Sequence, residues 1–413
     1  MMEKIVIRKI QKKGKRIDIY FDITDGLKKY FLPEQHFFIE YTEDVETVPN
    51  SIAIVPLLVN LLPFSWLTNS IVWVDELDEN FWNMIPYLKH AFSEMYHYNF
   101  QTKGELIAAK LVDNAYIAED KFITLFTGGV DAMTTYFRHE EKEPILFNVN
   151  GWYTNAIKED KVYDSDKKVI ENFAFKEKIG FCLARSNFAK LIDGGIMNKE
   201  FAKNFKSSWW FGFQHSLAFL GAAAILGYVH RVKIIYIGSS YTFGQEVRCV
   251  SDPRIDNCFR CASMKCVHDG YELSRQDKVK LLVEIQKKRK CEIPLQVCSF
   301  HAGNCCMCEK CFRTMLAIQA EGGDIFQFGF NIKDTMTKSV NEFLENNILE
   351  LDKAHMVFWR GILERMKENY DILPEKQVCD FLETYPFEKK KKSFLRNYYR
   401  TNFFKILKRK LGM

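Results

Sequence analysis

The chain has 413 residues, room for one large domain or two to three ordinary ones, and its 47% hydrophobic and 27% charged content is that of a soluble globular protein. The net charge of +5 is uneven: residues 389–413 hold ten Lys/Arg and no acid, so the remainder is close to −5, which excludes a basic nucleic-acid-binding body. The greasiest run, residues 52–66, is broken by Pro56, Asn60 and Pro63 and is too short to span a bilayer.

The first fifteen residues lack the apolar core and small-residue cleavage site of a secretory signal. Twelve cysteines without such a signal point to the cytoplasm, where clustered thiols hold metal more often than they form disulfides.

In chain order, Ile5 to Tyr41 alternate apolar and polar residues, which predicts about three antiparallel strands in a small region, 1–47. Residues 51–63 and 70–74 read as buried elements. Residues 81–98 and 104–118 read as helices. Phe122, Ile123, Leu125 and Phe126 form a short run apolar on both faces, expected for a buried strand. Thr127, Gly128 and Gly129 break it, and a helix starts at Asp131. Residues 144–149 and 179–184 predict two further strands, with Asn148 near the end of the first and Arg185 closing the second. Residues 209–229 predict a central helix containing His215. A fourth strand, 233–237, runs into Gly238, Ser239 and Ser240.

After an amphipathic helix at 273–288 and a short apolar run ending at 296–298, only helices are expected: 312–320, 337–347, 353–369 and 375–383. Strands separated by helices predict an α/β fold, a parallel sheet with helices on both faces. The expected domains are the β-rich region 1–47, the α/β domain 48–325, a helical region 326–388 and the basic tail 389–413.

The chemistry starts at the glycine turn. A strand, a glycine turn and a helix N-terminus make an anion cradle, because free N–H groups and the helix dipole, worth roughly +0.5 charge, point at one spot. Thr127-Gly128-Gly129-Val130-Asp131-Ala132 resembles the PP-loop, Ser-Gly-Gly-x-Asp-Ser, of the ATP pyrophosphatase superfamily. Ala132 departs from that pattern by losing the second hydroxyl. The segment 268–278 resembles the family's Leu-Ser-Lys-x-Glu stretch, with Arg275 in place of the lysine.

Cys298, Cys305, Cys308 and Cys311, spaced C-x6-C-x2-C-x2-C, fit a tetrahedral S4 zinc site. They resemble the zinc site of the 7-cyano-7-deazaguanine synthases. The order of short segments between residues 48 and 321 is similar to that of uncharacterised PP-loop proteins from surface-polysaccharide loci. Cys249, Cys258, Cys261 and Cys266 depart from the family and suggest a second zinc, an iron–sulfur cluster or free thiols.

The resemblance implies a HUP/PP-loop fold and an enzyme that splits ATP into AMP and pyrophosphate, activating a carboxylate or amide-type oxygen for attack by ammonia, an amine or a sulfur donor. It implies phosphate contacts from Thr127, Gly128, Gly129 and Val130, Mg²⁺ on Asp131, charge stabilisation by Arg275 and Lys278, and nucleotide or substrate contacts from Asn148, Arg185, His215, Ser239 and Ser240. The alternatives are a degenerate nucleotide-binding protein without catalysis, favoured by Ala132 and Arg275, and a tRNA-thiolating or modifying enzyme, favoured by the basic tail and the extra cysteines. Nucleic acid is otherwise not an expected partner. The tail suits weak contact with an anionic membrane surface, and a homo-oligomer is compatible with the sequence.

Overall fold

The computed structural model describes residues 2–33, 36–97, 103–151, 160–245, 247–298, 303–348, 351 and 353–391. The basic tail beyond residue 391 lies outside the described residues. The chain divides into two compact units, Met1–Ser274 and Arg275–Met413, where the sequence reading ran the α/β domain on to residue 325.

In the first unit the strands are β1 (Lys4–Lys13), β2 (Arg16–Ile23), β3 (His36–Tyr41), β4 (Ile71–Asp78), β5 (Glu105–Val112), β6 (Phe122–Leu125), β7 (Ile145–Asn150), β8 (Phe181–Ser186), β9 (Ile234–Gly238), β10 (Arg260–Cys261) and β11 (Met264–Asp269). They form a single sheet in the order β10-β11-β9-β6-β7-β8-β3-β2-β1-β4-β5. Within it β11, β9, β6, β7 and β8 run parallel. Read from β8 to β11, these five stand third, second, first, fourth and fifth in chain order, so the direction of winding reverses between β6 and β9. In open sheets of this kind ligands bind at the carboxyl ends of the strands flanking that reversal.

The helices of this unit are α1 (Asn50–Ala53), α2 (Val55–Thr68), α3 (Glu79–Met95), α4 (Val130–Arg138), α5 (Asp160–Glu177), α6 (Gly194–Glu200), α7 (His215–Val229) and α8 (Pro253–Asp256). Alternation along the strands assigns their faces. Ile123, Ile235, Met264 and Cys266 join the main core, and a Cβ on Gly227 of α7 would touch Met264 and Ile123. Phe122 and Tyr236 turn to the opposite face, where their rings stack at 5.7 Å and His139, just after α4, stacks on Tyr236 at 4.0 Å. α4 and α7 therefore cover opposite faces. α7 is apolar nearly all round because α2 packs on its outer side, with Val59 against Gly221.

Two sequence expectations are corrected here. Residues 104–118, read as a helix, contain β5, because the open edge of β4 offers an unshifted parallel pairing from Ile71↔Glu105 to Asp78↔Val112 that outweighs the helix propensity of its Leu, Ala and Lys residues. The first three strands pair antiparallel as expected, but region 1–47 does not stand by itself: β3 pairs antiparallel with β8, and β1 pairs parallel with β4, so they continue the main sheet. The sheet also curls on itself. Asp78, fully buried, caps α3 by accepting the Phe81 N–H at 2.8 Å and accepts the Ala262 N–H of the β10–β11 turn at 2.9 Å.

The second unit is helical: α9 (Arg275–Arg289), α10 (Glu309–Ala320), α11 (Met336–Asn347), α12 (Lys353–Glu368) and α13 (Lys376–Thr384). Its core contains Phe312, Phe343 and Trp359, whose neighbouring rings lie 4.8 and 6.0 Å apart. Buried Glu321 is held by Gln276 at 2.8 Å and Arg365 at 3.1 Å. The apolar run ending at 296–298 forms no regular element; it is tied down by main-chain bonds such as Leu295 N–H to Phe328 O, 2.9–3.0 Å long.

Candidate functional site

The β6–α4 turn sits at the reversal point. Phe126 N–H donates to Phe147 O at 2.8 Å, prolonging the β6–β7 ladder by one residue. Gly128 then turns the chain with φ +74°, a left-handed value that a Cβ would strain. Gly129 is the extended N-cap of α4, and the first helical bond runs from Met133 N–H to Gly129 O at 2.9 Å. The N–H groups of Gly128 and Val130 have no partner among the described residues. Thr127 is exposed and Gly129 and Asp131 are half-buried, while Gly128 and Val130 are buried, so the turn meets solvent through alternate residues. Among the described residues Thr127 Oγ1 accepts only a long 3.4 Å contact from Gly129 N–H.

β9 ends against this turn. Ser240, exposed, donates its hydroxyl to Asp131 Oδ2 at 3.3 Å. A Cβ on Gly238 would lie 2.8 Å from Asp131 O, so the strand end and the helix start touch. Ser239 is buried, with its N–H on Asp269 O at 2.8 Å and its hydroxyl on Tyr241 O at 2.7 Å. Of the expected contacts, the structure thus gathers Thr127, Gly128, Gly129, Val130, Asp131, Ser239 and Ser240.

Asn148 and Arg185 fall elsewhere in this unit. Asn148 donates its side-chain amide to Phe126 O at 2.8 Å and braces the turn from β7. Arg185 sits on β8, separated from β6 by β7, which at the usual strand spacing is roughly 10 Å. Its neighbour Ser186 stitches β3 to β8 through Phe38 O at 2.7 Å. Arg275 and Lys278 open α9 in the second unit, where Lys278 is buried at 2% exposure.

His215 begins α7 directly after a π-helical turn, Trp210–Gln214, a distortion often found at functional sites. Its ring meets Trp210 and Phe219 edge-on at 5.5 and 5.4 Å, and its Nδ1 is enclosed without a hydrogen-bond partner among the described residues. Burial pushes its pKa down to about 4. The same edge holds a pair that no local sequence signal announces. His268 Nδ1 lies 2.7 Å from Asp256 Oδ2, and neither side chain is more than 1% exposed. Burial raises the Asp256 pKa, with the His268 hydrogen bond pulling it the other way.

The second centre is the cysteine cluster. The Sγ atoms of Cys298, Cys305, Cys308 and Cys311 all lie within 4.8 Å of one another. Cys305 and Cys311 are 3.9 Å apart. A tetrahedron with metal–sulfur bonds of about 2.3 Å has edges of about 3.8 Å, so the spacing fits. Asn304 sets it: its Oδ1 accepts Val297 N–H at 3.0 Å, just before Cys298, and its Nδ2 donates to Leu295 O at 2.7 Å. Cys308 is the N-cap of α10 and Cys311 lies in its first turn, where the dipole favours thiolate. The Cys308 pKa falls to about 5, chiefly through its contact with Cys311, whose own thiol is correspondingly raised. These four cysteines are placed to hold a metal ion.

Cys249, Cys258, Cys261 and Cys266 are not. Among the described residues no other group brings three or more ligand atoms together. Cys261 and Cys266 pack into the core, and Cys258 donates its thiol to Arg254 O at 3.0 Å. Burial raises all four thiols, Cys249 to about 12, so they behave as small apolar side chains. A second zinc or an iron–sulfur cluster has no assembled site here.

Among the described residues one helix, Trp210–Val229, is long and apolar enough to cross a membrane, and it is 78% buried within the protein. No protein-family model matches the chain, and no curated protein matches it. Fold and site together define an α/β protein with an open glycine turn at the reversal point of its sheet and a separate four-cysteine centre.

Proposed function

We propose that the chain is a HUP-type PP-loop enzyme that adenylates a carboxylate or amide-type oxygen at the expense of ATP. The observation that carries this reading is the Thr127–Asp131 turn at the sheet reversal, where the Gly128 and Val130 amides have no partner among the described residues and lie close to the Asp131 carboxylate. The amides of Gly128 and Val130 and the Thr127 hydroxyl would hold the β- and γ-phosphates. Asp131 would hold Mg²⁺, which offsets phosphate charge. Ser240 orients that carboxylate.

In the reaction the substrate oxygen bonds to the α-phosphorus while the α–β bridging bond breaks, releasing pyrophosphate. Ammonia, an amine or sulfide then bonds to the activated carbon, and AMP leaves with the electron pair. Surface-polysaccharide sugar acids and modified nucleobases are the substrate classes to test. Zinc is the metal we assign to the four cysteines. Four thiolates would fill its coordination and leave no position for a water, so its role would be structural.

A second reading keeps nucleotide binding without turnover. It rests on Ala132, buried where the family's second hydroxyl belongs. Calorimetric titration with Mg·ATP, followed by mass spectrometry for AMP and pyrophosphate against a panel of sugar acids and nucleobases, separates the two. Binding that is lost in Asp131→Asn, with AMP and pyrophosphate formed in equal amounts, supports the enzyme. Binding with no AMP supports the second reading, and no binding by the wild type sinks both.

A further inference from the structure

β5 forms one margin of the sheet. One side pairs with β4; along the other no strand pairs among the described residues. Glu105 N–H donates to Ser70 O at 3.1 Å, so the odd-numbered residues of β5 turn their main-chain groups toward β4. In a parallel ladder the alternate residues, Leu106, Ala108 and Lys110, then present N–H and C=O to the open side.

Natural sheets blunt such an edge with proline, bulges, short strands or inward charges. β5 has eight residues, no proline and no register shift against β4, and its only charges are Glu105 and Lys110. Its outer face carries two large apolar side chains, Ile107 and Leu111, that are 39% and 41% exposed. Main-chain bonding capacity and apolar surface therefore coincide on one uncovered strand.

We propose that this edge pairs antiparallel with the same edge of a second copy, about a two-fold axis normal to the sheet. The axis requires residues of equal parity to face each other, because a one-residue slip would turn opposite faces together. The outward main-chain groups require even residues as the hydrogen-bonded pairs. Placing Ala108 on the axis meets both conditions. Leu106 of one copy then faces Lys110 of the other, whose aliphatic stem can cover it. Ile107 faces Ala109, and Glu105 faces Leu111.

Just beyond the strand ends, the same register sets Lys103 of each copy opposite Asp113 of the other. Both are exposed and neither has an ion-pair partner among the described residues. Moving the axis one residue toward Ala109 would set Glu105 opposite Asp113, like against like. Moving it toward Ile107 would set Lys103 opposite Leu111. Charge thus selects the Ala108 register, and the occupant that fits it is a second copy of this chain.

The test is sedimentation equilibrium of the full chain at micromolar concentration. The expected particle has twice the 48.5 kDa chain mass. Lys103→Asp and Asp113→Lys should each weaken the dimer by about tenfold, since each change turns two symmetry-related attractions into repulsions. The double variant K103D/D113K should restore it. Ala108→Pro should give a monomer, because proline cannot donate on the open side. That N–H makes no bond among the described residues, so circular dichroism and zinc content should not change. A wild type that stays monomeric overturns the proposal. So does a dimer indifferent to A108P, or one that the double charge swap fails to restore.

Discussion

The His268 imidazole and the Asp256 carboxylate meet at 2.7 Å, with side chains 1% and 0% exposed. Burial lifts the Asp256 pKa above its ordinary 3.8, against the pull of His268. Between those two values the folded protein keeps a proton that the unfolded chain has released, so stability falls as pH rises through that window. Asp256→Asn should remove that slope while keeping an acceptor for the imidazole N–H. Asp256→Ala leaves the imidazole unpaired and should cost about 1–3 kcal/mol. Urea titrations at several pH values check both. A wild-type slope surviving in D256N would mean that another group causes it.

His215 titrates with the opposite sign. Its folded pKa of about 4 lies below the 6.5 of an unburied histidine, because the charged ring loses hydration under Trp210 and Phe219. From pH 6.5 down to 4 the unfolded chain takes up a proton that the folded one refuses. The stability contributed by neutral His215 is therefore full above pH 6.5 and is lost through that interval. His215→Gln should flatten the fall in melting temperature between pH 7 and 5. If the variant falls as steeply as the wild type, the ring is not the group being charged.

The parts legible in sequence are those whose signal is local. The apolar run Phe122–Leu125 and the glycines that end it announce a strand and a turn, and the spacing of Cys298, Cys305, Cys308 and Cys311 announces a metal knot. What the sequence hides depends on distant partners. Ala108, Ala109 and Lys110 favour a helix, and only the free edge of β4 makes them a strand. Asn148 reads as a ligand contact until the Phe126 carbonyl is seen to claim its amide. Asp256 lies among cysteines that draw attention as ligands, and nothing nearby in the chain says that its short helix turns it toward His268.

The cysteines make a prediction about metal count. With one assembled cluster, the purified protein should hold one zinc per chain. Cys308→Ala should abolish it, whereas Cys261→Ala and Cys266→Ala, which remove core thiols, should retain it. Because S4 sites form only in the folded state, a strong chelator should lower the melting temperature by about 10 °C or more. Two zinc ions per chain, or metal lost from C266A, would restore the second cluster.

Gly238 links the ends of β9 and α4. An added Cβ would stand 2.8 Å from Asp131 O and 3.0 Å from Thr135 Oγ1. The nearer atom belongs to the main chain in the first turn of α4 and cannot rotate away. Gly238→Ala must therefore push α4 from the strand, at a cost of about 1–3 kcal/mol. The displacement falls on the residue proposed to hold Mg²⁺, so Mg·ATP affinity should drop by more than tenfold, while zinc content, set by cysteines of the other unit, should not change. Denaturant midpoints, calorimetry and metal analysis on one preparation read all three. A variant that is destabilised yet binds Mg·ATP like the wild type would separate the turn at Asp131 from the nucleotide, and the proposed site would have to lie elsewhere on the sheet.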